Sequence, residues 1–284
     1  MNVVYEEFND IDELLKTLST RSNNAIMRDN HSSEKEGDSF SKTSSYKEAT
    51  DLLKNGYTDI LEDVKSAVRR NNKFIYQYQD RQRKVKNMPI GFIPNVPNAL
   101  QNKPDAMINI IHKPKKRKTI NIIYAMSGSC GESADVFVKA GAALVSALNL
   151  IEISGIQTRL SVSFMASESS RSFFSFYPET KDKDKQFIFP ILKVKNYGER
   201  FNLTKICFPM AHPSMFRRIG FKYLETCPQL TDSNFANGYG RVPDLNEIRE
   251  IMNTDENTYI LNTSFIKEND YDIHKILKEL EVVI

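Results

Sequence analysis

The sequence predicts a three-layer α/β sandwich on a mainly parallel sheet with one antiparallel edge strand, preceded by an N-terminal helical extension. Three observations carry this. The first is Lys118–Glu168, KTINIIYAMSGSCGESADVFVKAGAALVSALNLIEISGIQTRLSVSFMASE, which reads as strand, small-residue loop, helix, strand. Thr119–Ala125 and Thr158–Met165 are β-branched runs joined by a crossover long enough to make them parallel. The second is the alternation of strand and helix patterns that continues to the C-terminus. The third is Gln186–Val194, QFIFPILKV, whose Pro190 lacks an N–H for a ladder and so directs the strand to an edge. A hairpin from the preceding strand makes it antiparallel.

Taken in order, Tyr5–Leu18 reads as a short helix, with Phe8, Ile11, Leu14, Leu15 and Leu18 at helical spacing. Ser19–Ser45 is polar and charged and reads as a mobile linker. Ser45–Val68 is helical, divided at Gly56, with Thr58 or Asp59 opening the second helix. Arg69–Arg83 is basic with Phe74, Tyr76 and Tyr78 interleaved. The proline-rich stretch that follows reads as an extended strap over the core, ending in a short helix near Pro104–Met107. His112–Lys118, HKPKKRK, carries five Lys/Arg in seven residues before the first core strand.

Beyond the central unit, Ser167–Lys185 is a polar connector and Lys205–Met210, KICFPM, reads as a short strand. His212–Thr226 reads as a helix with Pro213 in its first turn. Leu245–Met252 is a short helix, Thr258–Leu261 the last strand and Asp270–Leu280 the last helix. The expected division is therefore 1–44 (short helix and disordered linker), 45–112 (helical extension and strap) and 113–284 (α/β domain).

The 284 residues are 40% hydrophobic and 26% charged, enough for a substantial core. A net charge of +3 implies no bulk drive toward nucleic acid. Three cysteines without framework spacing point to reduced thiols and a cytoplasmic chain. The acidic N-terminus does not read as a secretory signal, and no apolar run is read as a membrane span. Abundant Asn, Lys, Ile and Ser with no Trp hint at an AT-rich bacterial or viral coding sequence.

Ligands in open α/β sheets sit at the carboxyl ends of strands, a place occupied here by the loop Ala125–Glu132. Ala125-Met126-Ser127-Gly128-Ser129 at the end of the first strand, with the small-residue helix after it, resembles the von Willebrand factor A-like domain. That family carries D-x-S-x-S at this point and holds a divalent metal there. The resemblance aligns Ser127 and Ser129 with the two serines and Gly128 with the residue between them. Ala125 stands where the family has aspartate, so a metal bound through a carboxylate is not expected, and neither is any other cofactor. Pro94–Pro97 and Ala211–Phe216 also resemble segments of uncharacterised phage proteins.

The expected role is a non-enzymatic protein–protein interaction module of a phage or prophage-encoded assembly. Its binding loop would comprise Ser127, Gly128, Ser129, Cys130 and His212, on a surface spanning Met126–Gly131, Ser167–Ser172 and Ala211–Ser214. One alternative is a hydrolase using Cys130, at a helix N-terminus that favours thiolate, with His212. Another is a nucleic-acid-binding accessory using Arg69–Arg83 and His112–Lys118. No membrane partner is expected. The Ser/Gly loop has neither the Walker lysine nor G-x-G-x-x-G.

Overall fold

The computed structural model describes residues 2–25, 27, 30–33, 38–71, 83–112, 119–129, 131–167, 186–230, 239, 242–252 and 254–282. In chain order, the first elements are β1 (Asn2–Phe8), α1 (Ile11–Thr20), α2 (Asp38–Ser41), α3 (Tyr46–Asn55) and α4 (Leu61–Arg70). A small unit follows: β2 (Arg83–Met88), β3 (Ile93–Pro94), α5 (Val96–Leu100) and β4 (Met107–His112). The central unit comprises β5 (Thr119–Ala125), α6 (Ala134–Ile153), β6 (Gln157–Ser163), β7 (Ala166–Ser167) and β8 (Gln186–Lys195). Next come α7 (Leu203–Ala211), a π-helical turn (Met215–Gly220) and α8 (Phe221–Thr226). The chain closes with α9 (Leu245–Met252), β9 (Thr258–Asn262), α10 (Thr263–Glu268) and α11 (Ile273–Glu279).

The fold is mixed α/β with a mostly parallel central sheet in the order β1-β8-β6-β5-β9 and a separate antiparallel sheet in the order β2-β4-β3. The parallel β5–α6–β6 unit forms as the sequence predicts, pairing Thr119 with Gln157 through Ala125 with Ser163. Gly155, at φ 90°, turns the chain from α6 into β6, a left-handed position that a side chain would strain. β5 alternates in the way a strand covered on both faces must. Ile120, Ile122 and Tyr124 enter the larger core with most helices, whereas Ile123 and Ala125 enter a smaller core under α9.

β8 is antiparallel to β6, as expected, but it is not the edge, because β1 pairs in parallel along its outer side. Pro190 is tolerated because the ladder breaks opposite it. β6 pairs β8 only as far as Ile191, and β7 resumes at Ile188. The Pro190 carbonyl accepts the Ser163 hydroxyl at 2.6 Å. The helix expected over Tyr5–Leu18 is corrected to strand then helix. Val3, Val4, Tyr5 and Phe8 are strand formers, and Asp10 caps α1 by accepting the Glu13 N–H at 2.8 Å.

The KICFPM strand is also corrected: it lies inside α7, opened by Asn202 accepting the Lys205 N–H. A six-residue apolar run has no periodicity that separates buried strand from buried helix. Gly56, at φ 101°, ends α3 where the sequence places the break. The strap is corrected as well. It folds as an antiparallel sheet, and its short helix lies at Val96–Leu100, capped by Asn95, rather than near Pro104–Met107.

The disordered linker is contradicted wherever it is described. Ser32, Ser41 and Thr43 are buried. A domain boundary at residue 113 does not match the sheet either, since β1 is one of its strands. α6 is long and apolar enough, by length and composition, to cross a membrane, and most of it is buried in the core. The aromatic part of the basic tract (residues 72–82), residues 113–118 of HKPKKRK and residues 168–185 of the connector lie outside the described residues.

Candidate functional site

The loop after β5 is packed down rather than open. Met126 is fully buried and Ser127 is 1% exposed, whereas Ser129 and Gly131 reach solvent. A Cβ on Gly128 would lie 2.6 Å from Cζ of Phe137, so glycine lets the loop rest on that ring. The Ser127 Oγ has no hydrogen-bond partner among the described residues. Cys130 lies outside them.

The carboxylates nearest this loop are already engaged. Glu132 pairs with Lys267 at 2.7 Å and Asp135 with Lys42 at 2.6 Å. The hydrogen bond from Lys42 holds the Asp135 carboxyl below its ordinary range, and the bond to Glu132 raises the Lys267 ammonium. Among the described residues no three His, Cys, Asp or Glu side chains gather as a metal would require. Ala125 at the end of β5 is buried and supplies no ligand, and the one carboxylate of the loop, Glu132, is the one paired with Lys267.

The segment around Asp38–Ser45 straps across this end of the sheet. Its staples are two buried arginines on the π-helical turn. Arg217 donates to the Phe40 carbonyl at 2.6 Å and the Glu132 carbonyl at 2.5 Å, and its guanidinium lies over the Phe40 ring. Arg218 donates to the carbonyls of Ser32 at 3.2 Å and Thr43 at 3.0 Å. The Thr43 hydroxyl lies 2.7 Å from the Ser214 hydroxyl, which donates to the Ser41 carbonyl. The buried Glu225 carboxylate accepts the backbone N–H and hydroxyl of Ser32 and the Tyr239 hydroxyl. Charge-assisted bonds to buried carbonyls are strong, and a π turn is where two adjacent side chains can be aimed this way.

His212 caps α7 and is 2% exposed, stacked on Phe208 at 4.7 Å and edge-on to Tyr57 at 4.8 Å. Its Nδ1 accepts the Ser214 N–H at 3.2 Å. Burial, reinforced by Lys42, lowers its pKa to about 4, so it is neutral near pH 7. Burial also raises the Cys207 thiol to about 12. The expected face at Met126–Gly131 and Ala211–Ser214 is thus corrected: Met126, Ser127, Ala211, His212 and Ser214 are buried. Of the described residues expected there, Gly128, Ser129 and Gly131 retain access.

The open apolar surface lies instead on the small β2-β4-β3 sheet, called the arm below. Val85 pairs with Ile110, while Asn87 and Ile93 both pair with Ile108, so these five residues share one face. Val85 is 62% exposed, Ile90 80% and Leu100 81%. No residue from Val85 to Ile110 is buried, and none joins either core. A small sheet without a covered apolar face is marginally stable by itself. RKVKNM carries no strand alternation, since Val85 and Met88 are three apart, and the four prolines that follow give no sheet signal either.

No curated protein and no solved structure matches the chain. One family model does, over residues 1–284, so the chain belongs to the family described as a domain of unknown function, DUF7192.

Proposed function

We propose that this chain is a non-enzymatic protein–protein interaction module of a phage or prophage-encoded assembly, and that it binds through the arm. One observation carries the reading: Val85, Ile90, Phe92, Ile93, Val96 and Leu100 are all at least half exposed, and no residue from Val85 to Ile110 is buried. Large apolar side chains concentrated in the open on one unit favour an interaction site. The finer fold proposed is a von Willebrand A-like domain with a degenerate metal motif. The β5–α6–β6 unit and the antiparallel β8 support it, whereas β1 outside β8 is an addition to that pattern. The strap and the lysine pairing of Glu132 and Asp135 support the degenerate reading of the loop.

A photo-reactive amino acid at Phe92 or Leu100, in cells that produce the protein, tests the reading. Discrete crosslinks to protein are expected from these positions and not from Lys65 on helix α4. If no arm position crosslinks to protein, the interaction reading fails.

A further inference from the structure

We propose that Asp38–Ser45 is an acid-released strap: proton uptake by His212 disengages Ser214 and frees the segment while the central sheet stays folded. The inference goes beyond the interaction reading and does not depend on the arm. Ser214 is the joint. Its N–H donates to His212 Nδ1 at 3.2 Å, and its hydroxyl donates to the Ser41 carbonyl and lies 2.7 Å from the Thr43 hydroxyl. A neutral imidazole accepts at one nitrogen, whereas imidazolium donates from both. A proton on Nδ1 therefore sets N–H against N–H, and the Ser214 backbone must turn away, taking its hydroxyl from the strap.

The contacts of the segment make this a step of the strap rather than of the whole fold. Phe40 is the one large apolar side chain from Asp38 to Ser45, and it is only partly buried. The other contacts described for the segment are polar. Ser44 donates its N–H and its hydroxyl to Glu48, each at 2.7 Å, and Lys42 pairs with Asp135 at 2.6 Å. Arg217 and Arg218 donate to the Phe40 and Thr43 carbonyls. A segment held in this way opens at a lower free energy than packed core strands.

The charges that act on the ring are Lys42 of the strap, which opposes protonation, and Glu48 of α3, which favours it. Arg218 on the π-helical turn acts on the same Glu48. Tyr57, against the ring, and Cys207, beside Tyr57, are both raised to about 12 by burial and stay uncharged. Burial first, and then Lys42, hold the imidazole at about 4 in the closed form, against 6.5 for a free ring. The open form therefore binds the proton first, and acid favours opening, by up to about 20-fold between pH 7 and 5. Hydrogen bonds hold Glu48 and Asp135 below the ordinary carboxylate range, so their contacts are lost only at lower pH.

NMR-detected amide exchange on the full chain at pH 7 and pH 5, corrected for intrinsic exchange rates, tests the proposal. The Ser44 and Ser214 amides, bonded to Glu48 and His212, are the reporters, and the amides of β5 and β6 are the reference. In the wild type the reporters should lose protection by about tenfold or more at pH 5 and regain it at pH 7, while the reference amides hold. His212→Gln keeps an acceptor for the Ser214 N–H at both pH values and should abolish the change. Reporters that stay equally protected from pH 7 to 5 in the wild type overturn the proposal, whatever the variant does. A loss shared by β5 and β6 also overturns it, because that is global unfolding. So does a folded His212→Gln chain that loses as much protection as the wild type, because the acid then acts through the carboxylates.

Discussion

Gly141→Ala in the middle of α6 is expected to destabilise the protein even though it improves helix propensity. An added Cβ would lie 2.2 Å from Ala211 Cα, 2.3 Å from Ala211 Cβ and 2.4 Å from the Met210 carbonyl oxygen. Carbon atoms reach optimal contact at about 3.5–4 Å, so α6 and α7 must separate by about 1 Å or more. Propensity alone would favour alanine by about 1 kcal/mol. Overpacking costs about 1–3 kcal/mol, and the upper end applies because two of the three contacted atoms are backbone. The net loss is about 1–2 kcal/mol, a fall of roughly 0.5–1 M in the urea midpoint with an unchanged m-value. Gly131→Ala is the control. Nothing lies within 4 Å of its added Cβ, and its stability should stay within about 0.5 kcal/mol of wild type. A Gly141→Ala chain as stable as wild type would refute the close α6–α7 contact.

Further outcomes concern the strap and the loop. His212 is buried neutral, with its pKa lowered from 6.5 to about 4. The unfolded chain therefore takes up its proton first as pH falls, and about 3 kcal/mol of stability should disappear between roughly pH 6.5 and 4. His212→Gln should flatten that slope between roughly pH 6.5 and 5, above the range of ordinary carboxylates; an unchanged slope would show that the imidazole is not held neutral by burial. Arg218→Met should cost roughly 3 kcal/mol, because it abandons the carbonyls of Ser32 and Thr43, and should open residues 31–45 to proteolysis. Full resistance to protease with an unchanged melting point would contradict the stapling. Millimolar Mg²⁺ should leave the melting temperature unchanged, since Lys267 and Lys42 occupy Glu132 and Asp135; a rise that saturates with metal would restore a metal site.

The central βαβ unit was legible because its two strand runs are rich in β-branched residues and flank a 20-residue apolar segment too long to be a strand. β1 was not, because the spacing of Phe8, Ile11, Leu14, Leu15 and Leu18 runs across a strand–helix junction. The strap was illegible for a different reason. Composition measures the apolar area available to offset ordering entropy, whereas Ser32, Ser41 and Thr43 are ordered by distant polar partners, Arg218, Glu225 and Ser214. The expected site is lost to burial that local sequence does not announce: Ser127 packs inward after β5, and His212 stacks on Phe208 and against Tyr57, about 150 positions earlier in the chain. The arm was not written in β2, whose apolar residues do not alternate; the pairing of β2 and β3 with β4 is what brings Val85, Ile93, Ile108 and Ile110 to one face.

Hydrogen–deuterium exchange at the backbone amides of residues 85–110 tests the arm most directly. These amides should exchange far faster than those of β5 and β6, because no residue from Val85 to Ile110 is buried. An arm as protected as β5 in the isolated chain would contradict the account, for it would mean that the apolar face is covered by this chain itself.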